Sequence, residues 1–258
     1  MGAALLTVLR PFVPSAPPPW VPSSLSGLAL DLRPETGTFQ NAGLSTPAAA
    51  GDPLGGWQDQ SGAGHHATQS TAGRYGIVRA SGLGGGARPR IEFDGTNDGA
   101  LLSGWGLGSG AQTVAMEFAR RSEQTSVRPF SVRSGGFWSE FAFVDYGGYE
   151  KICIRFGTAT GGSGASVGWS PTLGTTRHTL IVCYDGSGPG STGAYAVYLD
   201  GSLVTLSSTG VLVDSAQMGG IASYQDGSAA TPLDCGRVVA WTADHRASVA
   251  DIEAWLGA

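Results

Sequence analysis

Lysine is almost absent from this chain. Lys151 is the only one in 258 residues, and charged side chains of all kinds make up 14 %. The net charge is −5, and the basic residues are scattered rather than clustered. Nothing in that pattern neutralises a phosphate backbone, so nucleic-acid binding is excluded. Cysteine is equally scarce. Cys153, Cys183 and Cys235 are odd in number and form no Cys-x-x-Cys, which points away from a disulfide framework and from a zinc knuckle. Each sits in or beside an apolar run and is expected to be a small packing residue. No apolar run approaches the ~20 residues that span a bilayer. Residues 3–9 imitate a short signal core, yet no basic residue precedes them, Arg10 follows, and Pro17 spoils the cleavage site after Ala16. Leu6 stands where myristoylation needs Ser or Thr. The chain is expected to be made in the cytosol without a signal.

Glycine and proline are abundant, at 42 and 14 residues, and 41 % of residues are hydrophobic. That combination predicts many turns, little helix and a packed core. Period-2 alternation marks the strands. Val114, Met116 and Phe118 share one face, with Thr113, Ala115 and Glu117 on the other. Phe141 and Phe143 mark another strand, and Ile152, Ile154 and Phe156 form a further row. The run from Thr179 to Tyr184 is apolar on both faces, so it belongs at the centre of a sheet. Tyr195, Val197 and Leu199 lead into Asp200-Gly201, a hairpin turn. Val238 to Trp241 reads as the last strand. A single terminal helix is expected, capped by Ser248 with Asp251 completing the box, and with Val249, Ile252, Trp255 and Leu256 on its apolar face.

Residues 1–24 differ from the rest. Six prolines rule out helix and central strand there, while Leu9, Phe12, Val13 and Trp20 offer apolar contacts. They read as an extended, Pro-rich anchoring arm ahead of a domain over residues 25–258, docked either on that domain or on a neighbouring subunit.

Two segments carry the strongest pattern. Gly56-Trp57-Gln58-Asp59-Gln60-Ser61-Gly62-Ala63-Gly64 continues through His65-His66 into Ala67-Thr68, and Ile91-Glu92-Phe93-Asp94-Gly95-Thr96-Asn97-Asp98 follows. The first is a strand end with Trp57 as an apolar anchor and a Ser-Gly turn; the second is a strand ending in an Asp-Gly turn. Together they resemble the opening of concanavalin A-like, laminin-G-like jelly-roll domains, although Asp31 stands where that family usually has a Trp. The resemblance covers residues 25–258. It implies an all-β jelly-roll β-sandwich with a short C-terminal helix, of the type found in tailed-bacteriophage virion proteins. The function it implies is a non-enzymatic head decoration, head fibre or tail-associated adhesin. Its expected partners are other virion proteins, reached through the arm, and host-surface polysaccharide. A homo-oligomer located in the virion is expected, with no cofactor. The alternative is a secreted bacterial carbohydrate-binding lectin module.

The residue types that support other chemistries are sparse. A retaining glycosidase needs two carboxylates about 5 Å apart. Glu117 stands alone on its strand, and Glu140, Asp145 and Glu150 are five apart, so neighbours in that series alternate faces along one regular strand. That spacing argues against an enzyme. His65 and His66 are adjacent and point opposite ways on extended chain, and neither His178 nor His245 belongs to a metal-binding or carboxylate-linked pattern. Asp94, Asn97 and Asp98 are weak calcium candidates, because Asp-Gly and Asn-Asp are also ordinary turn formers. Rings near Gly-rich segments include Trp138, Tyr146, Tyr149, Trp169, Tyr198 and Tyr224. Of these, Trp138, Tyr146 and Tyr149 form the densest group and are the carbohydrate-binding candidates, since sugar faces stack on such rings.

Overall fold

Alternating apolar and polar residues make strands wherever the pattern persists, and here it persists over most of the chain. The computed structural model describes residues 20–83, 86–102, 106–122, 127–134, 137–146, 149–158, 167–169, 173–188, 191–208, 220–222 and 231–257. The chain enters through β1 (Leu28–Leu32), followed by the short strands β2 (Thr38–Phe39), β3 (Pro53–Leu54), β4 (Gly56–Trp57) and β5 (Ala67–Thr68). Then come β6 (Gly76–Arg79), β7 (Arg90–Asp94), β8 (Ala100–Leu101), β9 (Gln112–Arg120) and β10 (Val127–Ser134). The long hairpin β11 (Phe137–Tyr146) and β12 (Tyr149–Thr158) precedes β13 (Val167–Trp169), β14 (Arg177–Tyr184) and β15 (Tyr195–Leu199). The last strands are β16 (Ser202–Leu203), β17 (Ser207–Ser208), β18 (Gly220–Ile221) and β19 (Pro232–Trp241), and helix α1 (Val249–Gly257) follows.

These strands form two antiparallel sheets. One runs β16-β15-β14-β9-β19-β7-β6-β3, with β1 also paired to β19; the other runs β17-β13-β12-β11-β10-β18-β8-β5-β4-β2. β19 serves two partners on one edge: Pro232–Cys235 pair with β7 and Val238–Trp241 with β1. Its other edge pairs with β9, and the register shifts between Cys235 and Val238.

The alternation decides what each face buries. Val114, Met116, Phe118, Leu180, Val182 and Tyr184 point inward and meet Trp57, Phe130, Val132 and Ile154 of the opposing sheet. Each fully buried large side chain contributes about 1.5–3 kcal/mol. The odd positions of the same strands, Ala115, Ile181 and Cys183, point outward and would be exposed were α1 not laid over them. Val249, Ile252, Trp255 and Leu256 of α1 cover that patch, with Trp20, Leu25 and Leu28 at its margin. The molecule is therefore an all-β sandwich with one short C-terminal helix. Cys183 and Cys235 are free and buried. Burial pushes the Cys183 thiol up to about 12 and raises that of Cys235 well above the usual range, so both pack rather than react.

The helix begins differently from the sequence expectation. A 3-10 turn over Arg246–Ser248 leads into it. Asp244 Oδ1 accepts from the Arg246 amide at 3.0 Å and so holds the start of the helical run, four residues earlier than the Ser248 cap. Of the arm, residues 20–24 lie on the domain's own surface, where Pro22 accepts a hydrogen bond from Trp241 Nε1 at 3.2 Å. Leu9, Phe12 and Val13 lie outside the described residues.

Candidate functional site

The Trp57–Thr68 segment proves to be architecture. Trp57 is fully buried between the sheets. Asp59, itself 6 % exposed, collects four donors: the Asp31 amide at 2.9 Å, the Ser61 amide at 2.9 Å, Ser61 Oγ at 2.7 Å and the His65 amide at 3.1 Å. Gly62 and Gly64 take the left-handed conformations that let the chain turn back around that carboxylate. His66 Nδ1 accepts from the Asp59 amide at 3.1 Å, so the second histidine is a strut of the turn. Asp31, where the resembled family carries a Trp, is buried and paired with Arg33 at 2.5 Å.

The calcium candidates also hold a turn. Asp98 is buried and accepts from the Asp94 amide at 3.0 Å; Asp94 Oδ1 accepts from the Thr96 amide at 2.7 Å. Burial, with the Asp94 carboxylate close by, raises the Asp98 pKa to about 6. Among the described residues no three His, Cys, Asp or Glu side chains gather as a metal site.

The aromatic candidates lie on β11 and β12. Tyr146 and Tyr149 are register partners at one end of that hairpin, whereas Trp138 pairs with Gly157 at the other. Eight residues of strand separate Trp138 from Tyr146, about 26 Å at ~3.3 Å per residue. Tyr146 and Tyr149 therefore share one end of the hairpin, and Trp138 lies at the other. Tyr198 is half-buried against the cluster under α1, and Tyr224 lies outside the described residues.

A pocket of about 510 Å³ opens elsewhere, on the outer face of the nine-stranded sheet beyond the C-terminal end of α1. Its floor is Glu117. Its walls include Arg88, Thr176, Arg177, Gly236 and the glycine-rich rim at Gly82 and Gly86. The alternation of β9 points Glu117 outward, one step past the apolar patch that the helix covers. There it is only 4 % exposed. Arg177 Nε donates to it at 2.7 Å, and Arg88 Nη2 pairs with it at 3.2 Å. Both guanidiniums also reach the Leu256 carbonyl, so they cap α1 as they hold Glu117. Gly236, in the β19 bulge, lets the carboxylate lie across the strand, for a Cβ there would stand 2.3 Å from Glu117 Oε2. Beside the pocket Arg237 pairs with Glu35 at 2.6 Å and lies over the Trp255 ring, 4.6 Å from its centroid. The Arg88 pKa is lowered: desolvation outweighs the attraction of Glu117, and Arg237 and Arg177 add repulsion. Sequence reading singled out Glu117 as isolated, which is true along β9; its partners come from positions 88 and 177.

A second non-local pairing starts on the other face of β14, where His178 follows Arg177 and its ring lies 5.9 Å from that of the inward-facing Phe118. His178 Nδ1 is 2.8 Å from Asp200 Oδ2, and its Nε2 is 3.4 Å from Thr176 Oγ1. The absence of any carboxylate-linked histidine, as read from the sequence, is thus corrected: the β14–β15 hairpin brings Asp200 back to His178. Asp200 also accepts from the Thr179 amide at 2.9 Å, which fixes the turn.

No family model and no curated protein matches this chain. Solved structures do match. Trypanosoma rangeli sialidase in complex with sialic acid is similar over 94 % of this chain and 35 % of its own length, at 13 % identity and a TM-score of 0.51. The botulinum neurotoxin type G receptor binding domain is similar over 90 % of this chain and 51 % of its own, at 9 % identity and a TM-score of 0.51. This chain therefore spans about a third of the first and half of the second. At such identity the likeness establishes the sandwich fold.

The expectation that the chain is not an enzyme is corrected. A sialidase, an enzyme, contains a sandwich of this kind, so the fold gives no ground for excluding catalysis. The spacing argument fails as well. It treated Glu140, Asp145 and Glu150 as points on one strand, whereas the β11–β12 register sets Asp145 directly opposite Glu150. Residues so paired have Cβ atoms about 5 Å apart.

Proposed function

We propose that this chain is a saccharide-recognition module that docks on a host-surface glycan and is carried in a tailed-phage virion, where it assembles as a homo-oligomer. The observation that carries the binding role is the pocket over Glu117. Its volume of about 510 Å³ suits a small ligand. Its lining of guanidinium, carboxylate, hydroxyl and backbone groups matches the donors and acceptors of sugar hydroxyls. The receptor binding domain of a neurotoxin has a similar sandwich, which agrees with a receptor-binding role. The virion placement draws on the resemblance of the Trp57–Thr68 and Phe93–Asp98 segments, and the anchoring role on the apolar, Pro-rich sequence of residues 1–19. Tyr146 with Tyr149, and separately Trp138, are the competing saccharide surface on the other sheet.

A glycan array tests the binding role, run with wild type, Arg88→Gln, Trp138→Ala and Tyr149→Ala and followed by an assay of reducing-end release from every bound glycan. The proposal expects binding that Arg88→Gln weakens at least tenfold and the two aromatic changes leave intact. Loss in Tyr149→Ala or Trp138→Ala alone moves the site to the hairpin. No saccharide bound by wild type ends the reading.

A further inference from the structure

Two arginines share one carboxylate in this pocket, and Glu117 does not use them up. Arg177 spends Nε on Glu117 and Nη2 on the Leu256 carbonyl; Arg88 spends Nη2 on the same two groups. Among the described residues nothing engages Nη1 of either arginine, nor Nε of Arg88, and both residues line the pocket with side chains 23 % and 31 % exposed. Two fixed cations around one carboxylate leave a local positive excess in a protein of net charge −5. The lowered pKa of Arg88 agrees with a cation that is desolvated and incompletely compensated. A neutral sugar hydroxyl satisfies one such donor at a time. A planar oxyanion satisfies two and brings the missing charge, and guanidinium forks match carboxylates in this way. The narrow supply of lysine sharpens the point, because arginine offers the fixed geometry that a flexible ammonium lacks.

We propose that the pocket selects saccharides bearing a carboxylate, which Arg88 and Arg177 receive through the donors that Glu117 leaves unused. This rests on the saccharide-binding reading above and adds the class of sugar. Gly82 and Gly86 add no side chains to the lining, where Leu83, Ala87 and Pro89 offer apolar contact to a sugar ring whose acid group faces the arginines.

The test compares oligogalacturonate with the same oligomer methyl-esterified, alongside a sulfated dextran and plain dextran, by calorimetry on the full chain. Esterification changes the charge and leaves the ring and its hydroxyls in place. The expected result is at least tenfold tighter binding of the free acid, weakening steeply between 50 and 300 mM salt. Arg88→Gln and Arg177→Gln should remove the preference while circular dichroism and thermal melting show a folded protein. The salt series on wild type stands as evidence if either variant fails to fold. Equal binding of acid and ester overturns the inference and leaves the saccharide reading intact. Preference for sulfated dextran over the free acid overturns carboxylate selection. Absence of binding to all four at millimolar concentration overturns both.

Discussion

Two buried carboxylates, Asp59 and Glu117, are 6 % and 4 % exposed, and the protein provides for them in opposite ways. Asp59 is surrounded by neutral donors from its own turn and from β1, four hydrogen bonds that leave the site closed. Glu117 is met by two arginines from distant segments, each with donors to spare, under a pocket. Neutral backbone donors fix a shape and carry no net charge. Guanidiniums fix a shape and also leave a field that outlasts the pairing. The first arrangement is a fastening; the second is a fastening that can also bind something.

Removing the fastening should have the larger effect on stability. Trp57 anchors the strand that leads into the Asp59 turn, and Trp57→Ala should cost about 3–5 kcal/mol as a core truncation. Asp59→Ala should follow at about 3 kcal/mol, since it strands several buried donors at once. Chemical denaturation reads both, and a loss under about 1 kcal/mol in either would place the turn outside the cooperative core. Glu117→Gln should cost less, about 1–2 kcal/mol, because Arg88 and Arg177 are partly solvated and water screens their repulsion. Its binding effect should have the opposite sign: with the competing carboxylate gone, an acidic saccharide binds several-fold tighter. Weaker binding in Glu117→Gln would make Glu117 a ligand-contacting group instead of a competitor.

The contrast also explains which features were readable in advance. The Asp59 turn is local, and its glycines, serine and tryptophan announce themselves within a dozen residues. The alternation in β9 and β14 likewise separated the two faces, with Glu117 on the side away from Val114, Met116 and Phe118, and the helical period of the C-terminal segment picked out Val249, Ile252, Trp255 and Leu256, which are buried. The pocket is assembled from positions 88, 117, 177 and 236, which no periodicity connects; only the order of strands in the sheet does. The same cause hid His178 with Asp200, and Asp145 opposite Glu150. In each case the partner lies across a hairpin, and along-strand spacing is silent about what pairing brings alongside. One signal was available. A lone buried-face carboxylate on a strand as apolar as β9 demands a cationic partner, and in a chain nearly without lysine that partner had to be arginine.

A third buried carboxylate sharpens the comparison at the smallest scale. Asp98, 7 % exposed, accepts a hydrogen bond from the Asp94 amide and sits close to the Asp94 carboxylate, with no arginine among its hydrogen-bond partners. Burial holds its pKa at about 6, above the 3.8 of a free aspartate. Between these two values the folded protein keeps a proton that the unfolded chain has released. The stabilisation is therefore complete below about pH 4 and is lost as the pH rises through about 6, some 2–3 kcal/mol in all at ~1.4 kcal/mol per unit. Asp98→Asn retains an oxygen for the Asp94 amide and removes the ionisation. It should gain about 2 kcal/mol at pH 8, change little at pH 4, and flatten the stability profile between them. Denaturant melts at pH 4, 6 and 8 check the slope. Adding millimolar calcium at pH 8 checks the rival use of these oxygens. A wild-type melting point that rises with calcium, and a rise abolished by Asp98→Asn, would show the ionised carboxylate at work as a ligand and not as an uncompensated charge.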